Sequence, residues 1–161
     1  MTQTVSETTQ IAAPPAAVYA AVADVAGMGR WSPECTGADV KGGPDAEVRV
    51  GTRFTGRNRG EKGRPWSTAC TVTVADPGER FAFEVKAAGM RVAVWSYTLE
   101  PAEGGSQTRI TETWIDQRGP LMTWIGTLAT GVKDRVTHNR ETMKVTLRRL
   151  KEELEGEPQN A

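Results

Sequence analysis

The stretch that decides the fold is "MRVAVWSYTLEPAEGGSQTRITETWID", residues 90–116. Two runs rich in Val, Trp, Tyr, Thr and Ile flank a cluster of Pro, Glu, Gly and Ser. β-Branched and aromatic residues suit a pleated surface, and the Gly-rich cluster supplies a turn. The reading is an antiparallel hairpin, "MRVAVWSYTLE" turning through "PAEGGSQ" into "TRITETWID". Side chains alternate across a strand, so Arg91, Ala93, Trp95, Tyr97 and Leu99 share one face. On the partner strand Ile110, Glu112 and Trp114 share a face, opposed by Arg109, Thr111, Thr113 and Ile115.

Upstream, the same grammar repeats. "FAFEVKA" ends at Ala88-Gly89, and "WSTACTVTV" ends at "ADPGER". "GTRFTGRNR" ends at Gly60 and Gly63, and "TGADVK" ends at Gly42-Gly43-Pro44. The N-terminal "VSETTQIAA" alternates Val5, Glu7, Thr9 and Ile11 against Ser6, Thr8 and Gln10, completing seven strands. The later links are short, which predicts an antiparallel meander. Pro14 and Pro15 suit the first turn of a helix whose apolar face carries Val18, Tyr19 and Val22. Asp24 suits the cap of a second short helical segment, "VAGMGRW", stopped by Pro33.

Downstream, residues 121–155 lack proline and carry apolar residues at helical spacing. Leu121, Ile125, Leu128, Val132 and Val136 lead to Met143, Leu147, Leu150 and Leu154. This predicts one long helix, on the order of 50 Å, weakened near Gly126 and Gly131. One long helix beside a curved sheet implies an α+β domain with the helix across the concave face.

The inner face is unusually aromatic, with Phe54, Trp66, Phe81, Phe83, Trp95, Tyr97 and Trp114. Asn58, Thr68 and Glu112 interleave with these rings. Apolar walls with a few convergent polar groups describe a ligand cavity better than a solid core. A carboxylate at Glu112 must be paired, hydrogen-bonded or protonated there. Three roles fit it: a proton-transfer group, a ligand anchor, or a structural partner for a Trp N–H or an arginine such as Arg91. Asn139 interrupts the helical stripe and faces either a ligand or a strand. His138, the one histidine, points away from that stripe.

The chain has 161 residues, with Lys+Arg and Asp+Glu both at 20, for a formal charge of +0. Length predicts a single domain over residues 1–161, with its core at about 5–155 and residues 156–161 a disordered tail. Balanced charge argues against a nucleic-acid partner. The cluster Arg53, Arg57, Arg59, Lys62 and Arg64 reads as a solvated strand end and hairpin. No His/Cys/Asp/Glu spacing suits a metal, and no glycine pattern suits a phosphate, so neither metal nor cofactor is expected. Cys35 and Cys70 belong to no CxxC pair, which fits a reducing, cytoplasmic setting. No leader pattern and no spanning apolar run is present, so no stable membrane insertion is expected.

Several stretches in order resemble a known family. They are "I.APPAAVYAAVADV.GMGRWSPEC", "VGTRFTGRNR", Trp66, "FAFEV", "WSYTLEP..GG", "TRITETW" and "NRETMKVTLRRLKEELE". Together, from about Val5 to Glu155, they resemble the polyketide cyclase/dehydrase-like branch of the START/Bet v 1 (SRPBCC) superfamily. The resemblance implies a helix-grip fold: a seven-stranded antiparallel sheet curved around a long C-terminal helix, with short helices at Pro14–Ala23 and Val25–Trp31. It also implies a cavity for a hydrophobic small molecule, in a monomer or homodimer.

Binding of a lipid, polyketide or aromatic metabolite is the leading expectation. Its expected contacts are Trp31, Glu34, Phe54, Asn58, Trp66 and Thr68, with Phe83, Trp95, Tyr97, Trp114 and Asn139. The alternative is a cyclase, aromatase or dehydratase using Glu112 for proton transfer. A weaker third is a protein-interaction surface on the basic hairpin. "RWSPECTG", residues 30–37, reads as a lid corner with Trp31 and Glu34 at the entrance and Cys35 an inert thiol.

Overall fold

The computed structural model describes residues 2–60 and 63–156. Lys62 and residues 157–161 of the expected tail lie outside the described residues. Seven strands form one antiparallel sheet: β1 (Thr4–Ile11), β2 (Cys35–Val40), β3 (Arg53–Arg59), β4 (Pro65–Asp76), β5 (Arg80–Ala87), β6 (Met90–Ala102) and β7 (Gln107–Asp116). Their order is β1-β7-β6-β5-β4-β3-β2. The meander runs from β2 to β7, and β1 closes on β7 with Thr4 opposite Ile115 and Ile11 opposite Thr108. This is the helix-grip architecture, with three α-helices: α1 (Pro15–Ala23), α2 (Pro120–Thr130) and α3 (Arg135–Leu154).

Pro15 opens α1, where its missing N–H is no loss. A 3₁₀ turn follows at Val25–Arg30, and Asp24 caps it by accepting from Gly27 N at 3.3 Å. α3 buries Asn139, Met143, Thr146, Leu147 and Leu150, one stripe at steps of three and four. Two cross-links fasten α3 to β1. Arg140 reaches Glu7 at 2.7 Å, and Lys151 Nζ donates to Gln10 O at 2.7 Å.

The single long helix expected over residues 121–155 is two helices. Gly131 closes α2 at φ 75°, with its N–H on Thr127 O at 2.9 Å. Asp134 then caps α3 by accepting from Thr137 N at 3.1 Å. Glycine enters the left-handed region without steric penalty, and a following Asp starts a fresh helix, so the chain can turn here. The break also changes the phase of the apolar stripe: Leu121 and Leu128 point to solvent. Gly131→Ala is expected to lower stability by about 1 kcal/mol in urea denaturation. An unchanged midpoint would mean that the break does not need the left-handed residue.

Two bulges correct the expected faces. Between β5 and β6, Ala93 pairs with Val85 but Arg91 pairs with Lys86, leaving Val92 as the extra residue. One inserted residue reverses the alternation, so Arg91 sits on the outer face rather than the inner one. In β4, Thr73 is the extra residue between the Val72–Phe83 and Val74–Ala82 pairs, so the alternation that starts at Val72 is reset and Ala75 takes the inner place opposite Phe81.

The concave face has two zones. Under α1 it is solid: Phe81 is fully buried, edge-on to Tyr19 at 6.2 Å and next to Phe83 at 6.1 Å. Toward α2 and the start of α3 the packing opens.

Candidate functional site

A cavity of about 280 Å³ lies between the concave face of the sheet and helices α2 and α3. Phe54, Trp66, Phe83, Trp95 and Trp114 wall it from β3, β4, β5, β6 and β7. Phe54 and Phe83 meet edge to face at 5.3 Å, a favoured ring geometry. Asn58 and Thr68 line the same space, with Asn58 Nδ2 at 3.5 Å from Thr68 Oγ1.

Glu112 is the most perturbed carboxyl among the described residues. Strand alternation puts it between Ile110 and Trp114, facing inward and 3% exposed. Register places Tyr97 directly opposite on β6, and the Tyr97 hydroxyl donates to Glu112 Oε1 at 3.0 Å. Glu112 Oε2 is buried and has no hydrogen-bond partner among the described residues. Burial pushes the carboxyl up to about 8, against the lowering bond from Tyr97. Arg91, a partner considered for it, stands outside and lies 3.9 Å from Glu84. The Tyr97 phenol is itself raised well above its ordinary value by burial and by Glu112.

Asn139 reaches the cavity from α3, 2% exposed, and its Oδ1 also has no partner among the described residues. One and two turns on, Thr142 and Thr146 line the same wall. Their hydroxyls bond back to Asn139 O at 3.0 Å and Thr142 O at 2.9 Å. The spacing from Asn139 makes both legible as face-mates, though sequence reading did not single them out.

Glu34 lies at the junction of three elements. Its Oε1 accepts from Arg135 at 2.9 Å and lies 3.5 Å from His138 Nε2. Arg135 also donates to Thr130 Oγ1 at 3.0 Å, so the cluster ties the chain before β2 to the end of α2 and the start of α3. Burial would raise the Glu34 carboxyl, but the neighbouring His138 and Arg135 outweigh it and hold it low. A second arginine, Arg118, grips Asp116 with Nε and Nη2, each at 2.8 Å, and borders the cavity. Arg118 and Arg135 carried no periodicity that would mark them.

Trp31 corrects the expected gate. It is 3% exposed, packed in the core, and does not border the cavity. The 3₁₀ turn carries it inward, and Arg30 covers its ring at 4.4 Å. Met28, not Trp31, represents that turn in the cavity wall. Ser32 Oγ accepts from Cys35 N at 3.0 Å, which closes the corner. Both thiols are raised by burial, Cys70 to about 11, so neither is a thiolate at neutral pH. Among the described residues no three His, Cys, Asp or Glu side chains converge as metal ligands would.

Comparison with known proteins adds the family. The model of the family described as "Polyketide cyclase / dehydrase and lipid transport" matches residues 2–155. No curated protein matches the chain significantly. The polyketide-cyclase-like protein Cgl2372 of Corynebacterium glutamicum is 30% identical. The match covers 96% of this chain and 93% of that one, at a TM-score of 0.62. The KanY protein is 26% identical over 97% of this chain and 99% of its own, at a TM-score of 0.63. The di-domain aromatase/cyclase BexL shares the fold at 18% identity and a TM-score of 0.68, covering 98% of this chain and 51% of BexL. The chain belongs to the polyketide cyclase/dehydrase and lipid transport family.

Proposed function

We propose that the chain binds a small apolar molecule that carries a carbonyl or hydroxyl group, in the cavity between the sheet and helices α2 and α3. The observation that carries this reading is the pair of buried polar atoms without partners, Glu112 Oε2 and Asn139 Oδ1, in an aromatic-walled space. Buried polar groups are normally satisfied, and two that line one cavity await a ligand or water. A volume of about 280 Å³ suits a compact two- or three-ring molecule or a short acyl chain. Near neutral pH Glu112 is mostly protonated. Oε1 already accepts from Tyr97, so the proton on Oε2 can be donated to a ligand oxygen. The Asn139 carboxamide can turn to present either its oxygen or its nitrogen. The family description, which joins polyketide cyclases with lipid transport, supports an apolar ligand of this kind.

The test is calorimetric titration with 1-tetralone against tetralin, its analogue without oxygen. The ketone is expected to bind about tenfold tighter below pH 7, an advantage worth one hydrogen bond to a buried donor. That advantage should shrink as the pH passes about 8 and Glu112 loses its proton. Equal affinity for the two compounds, or binding of neither, would sink the proposal.

A second reading has its own support in the raised Glu112 carboxyl. An acid that ionises near neutrality is suited to proton transfer during ring closure or dehydration of a polyketide chain. Full turnover by Glu112→Gln on such a substrate would exclude this role.

A further inference from the structure

α2 is apolar on both of its sides. Met122, Ile125 and Ala129 line the cavity, while Leu121, Trp124 and Leu128 are 60%, 64% and 59% exposed. Its eleven residues include no charged side chain. Leu121, Trp124 and Leu128 stand at i, i+3 and i+7, so they form one strip along the helix. A helix that is apolar all round belongs in apolar surroundings, yet this side meets only water.

Cations flank the C-terminal end of α2. The β3–β4 turn abuts the end of α2: a Cβ placed on Gly60 would lie 3.3 Å from Thr130 O. Arg59 and Arg64 lie on either side of that turn. Arg59 and Arg64 are exposed and form no ion pair among the described residues. Lys133 is exposed in the link between α2 and α3. Ala87 and Ala88 at the β5–β6 tip border the same cavity, with Lys86 and Arg91 beside them. Of the acidic groups nearby, Glu84 faces those two cations at 3.3 and 3.9 Å, and Asp134 is occupied capping α3.

We propose that the outer face of α2, with Arg59, Arg64 and Lys133 beside it, docks the protein on an anionic lipid bilayer, with the cavity mouth toward the membrane. Trp124, Leu121 and Leu128 enter the headgroup region while Arg59, Arg64 and Lys133 pair with lipid phosphates. A second copy of the chain fits less well. The strip is about 11 Å long from Leu121 to Leu128, too small for the ~800 Å² per partner that stable dimers bury. A two-fold contact would also bring the two sets of cations face to face. The docking geometry stands alone, and only its purpose, exchange of an apolar ligand with the membrane, rests on the binding function proposed above.

The experiment is co-sedimentation of the full chain with vesicles of phosphatidylcholine alone, or with roughly a third phosphatidylglycerol. Wild type should pellet with the anionic vesicles only, and less as salt rises. Trp124→Ser/Leu128→Ser should lower partitioning by about tenfold or more. Arg59→Glu/Arg64→Glu should lower it by about fivefold or more per site. These side chains are exposed, so circular dichroism and Tm should not change. No pelleting of wild type, or unchanged pelleting of both variants, overturns the proposal. So does a dimer in ultracentrifugation that Trp124→Ser/Leu128→Ser dissolves, which would assign the strip to a second copy. Tetralone titration of the same samples separates the two readings. Retained ketone binding without vesicle binding sinks docking alone, and the reverse sinks the cavity proposal alone.

Discussion

Glu112→Gln is expected to reverse the order of stability with pH: the variant should be the more stable protein at pH 8.5 and lose that advantage by pH 5. The folded carboxyl ionises near 8, against an ordinary value of 4.5 in the unfolded chain. Between those values the native state holds a proton that the unfolded state has released. Stability from this group is therefore complete below pH 4.5 and falls as pH rises toward 8, where the loss is complete. The swing is on the order of 5 kcal/mol, a large share of the stability of a domain this size. Glutamine keeps the shape, still accepts from Tyr97, and cannot ionise, so its stability should be flatter across the same window. Urea denaturation of both proteins at pH 5, 7 and 8.5 measures the difference directly. Parallel pH profiles would mean that Glu112 does not hold its proton in the folded protein.

Phe81→Ala should lower stability by roughly 3–5 kcal/mol, enough to leave the domain marginal at room temperature. Phe81 has no solvent exposure and is held between Tyr19 of α1 and Phe83 of its own strand. Removing it opens a hole in the solid zone of the concave face, where neighbours cannot collapse without moving α1. Phe83→Ala makes the informative contrast. Phe83 already borders the cavity, so its loss enlarges a space that exists and should cost less. If Phe83→Ala proved the more damaging, the division of the face into packed and open zones would be wrong.

Much of this site was legible before the fold. Strand alternation is a local property, so Phe54, Trp66, Phe83, Tyr97, Glu112 and Trp114 could be assigned to one face from spacing alone, and all border the cavity. Asn58, Thr68, Trp95 and Asn139 followed from the same two periods, and they border it too. Glu34 was placed at the rim because Pro33 turns the chain there. Its partners Arg135 and His138 lie about a hundred residues away, and no periodicity links them. The mistaken assignments have equally definite causes. Arg91 changed face because one bulge residue resets the alternation of a strand. Trp31 left the rim because a 3₁₀ turn advances side chains by a different angle from an α-helix.

The sequence by itself determined seven strands, the inward side of β3 to β7 except beyond the two bulges, the short N-terminal helices and the resemblance to the family. Those features repeat at periods of two or between three and four residues, and the free energy of each is set within a few neighbours. Only the tertiary structure decided where the C-terminal helix breaks, which part of the concave face stays open, and that Glu112 has one oxygen satisfied and one free. It alone shows that α2 covers the cavity with one apolar side and turns the other to water. These outcomes depend on contacts between residues far apart in the chain, where small differences in packing decide between a filled core and a cavity.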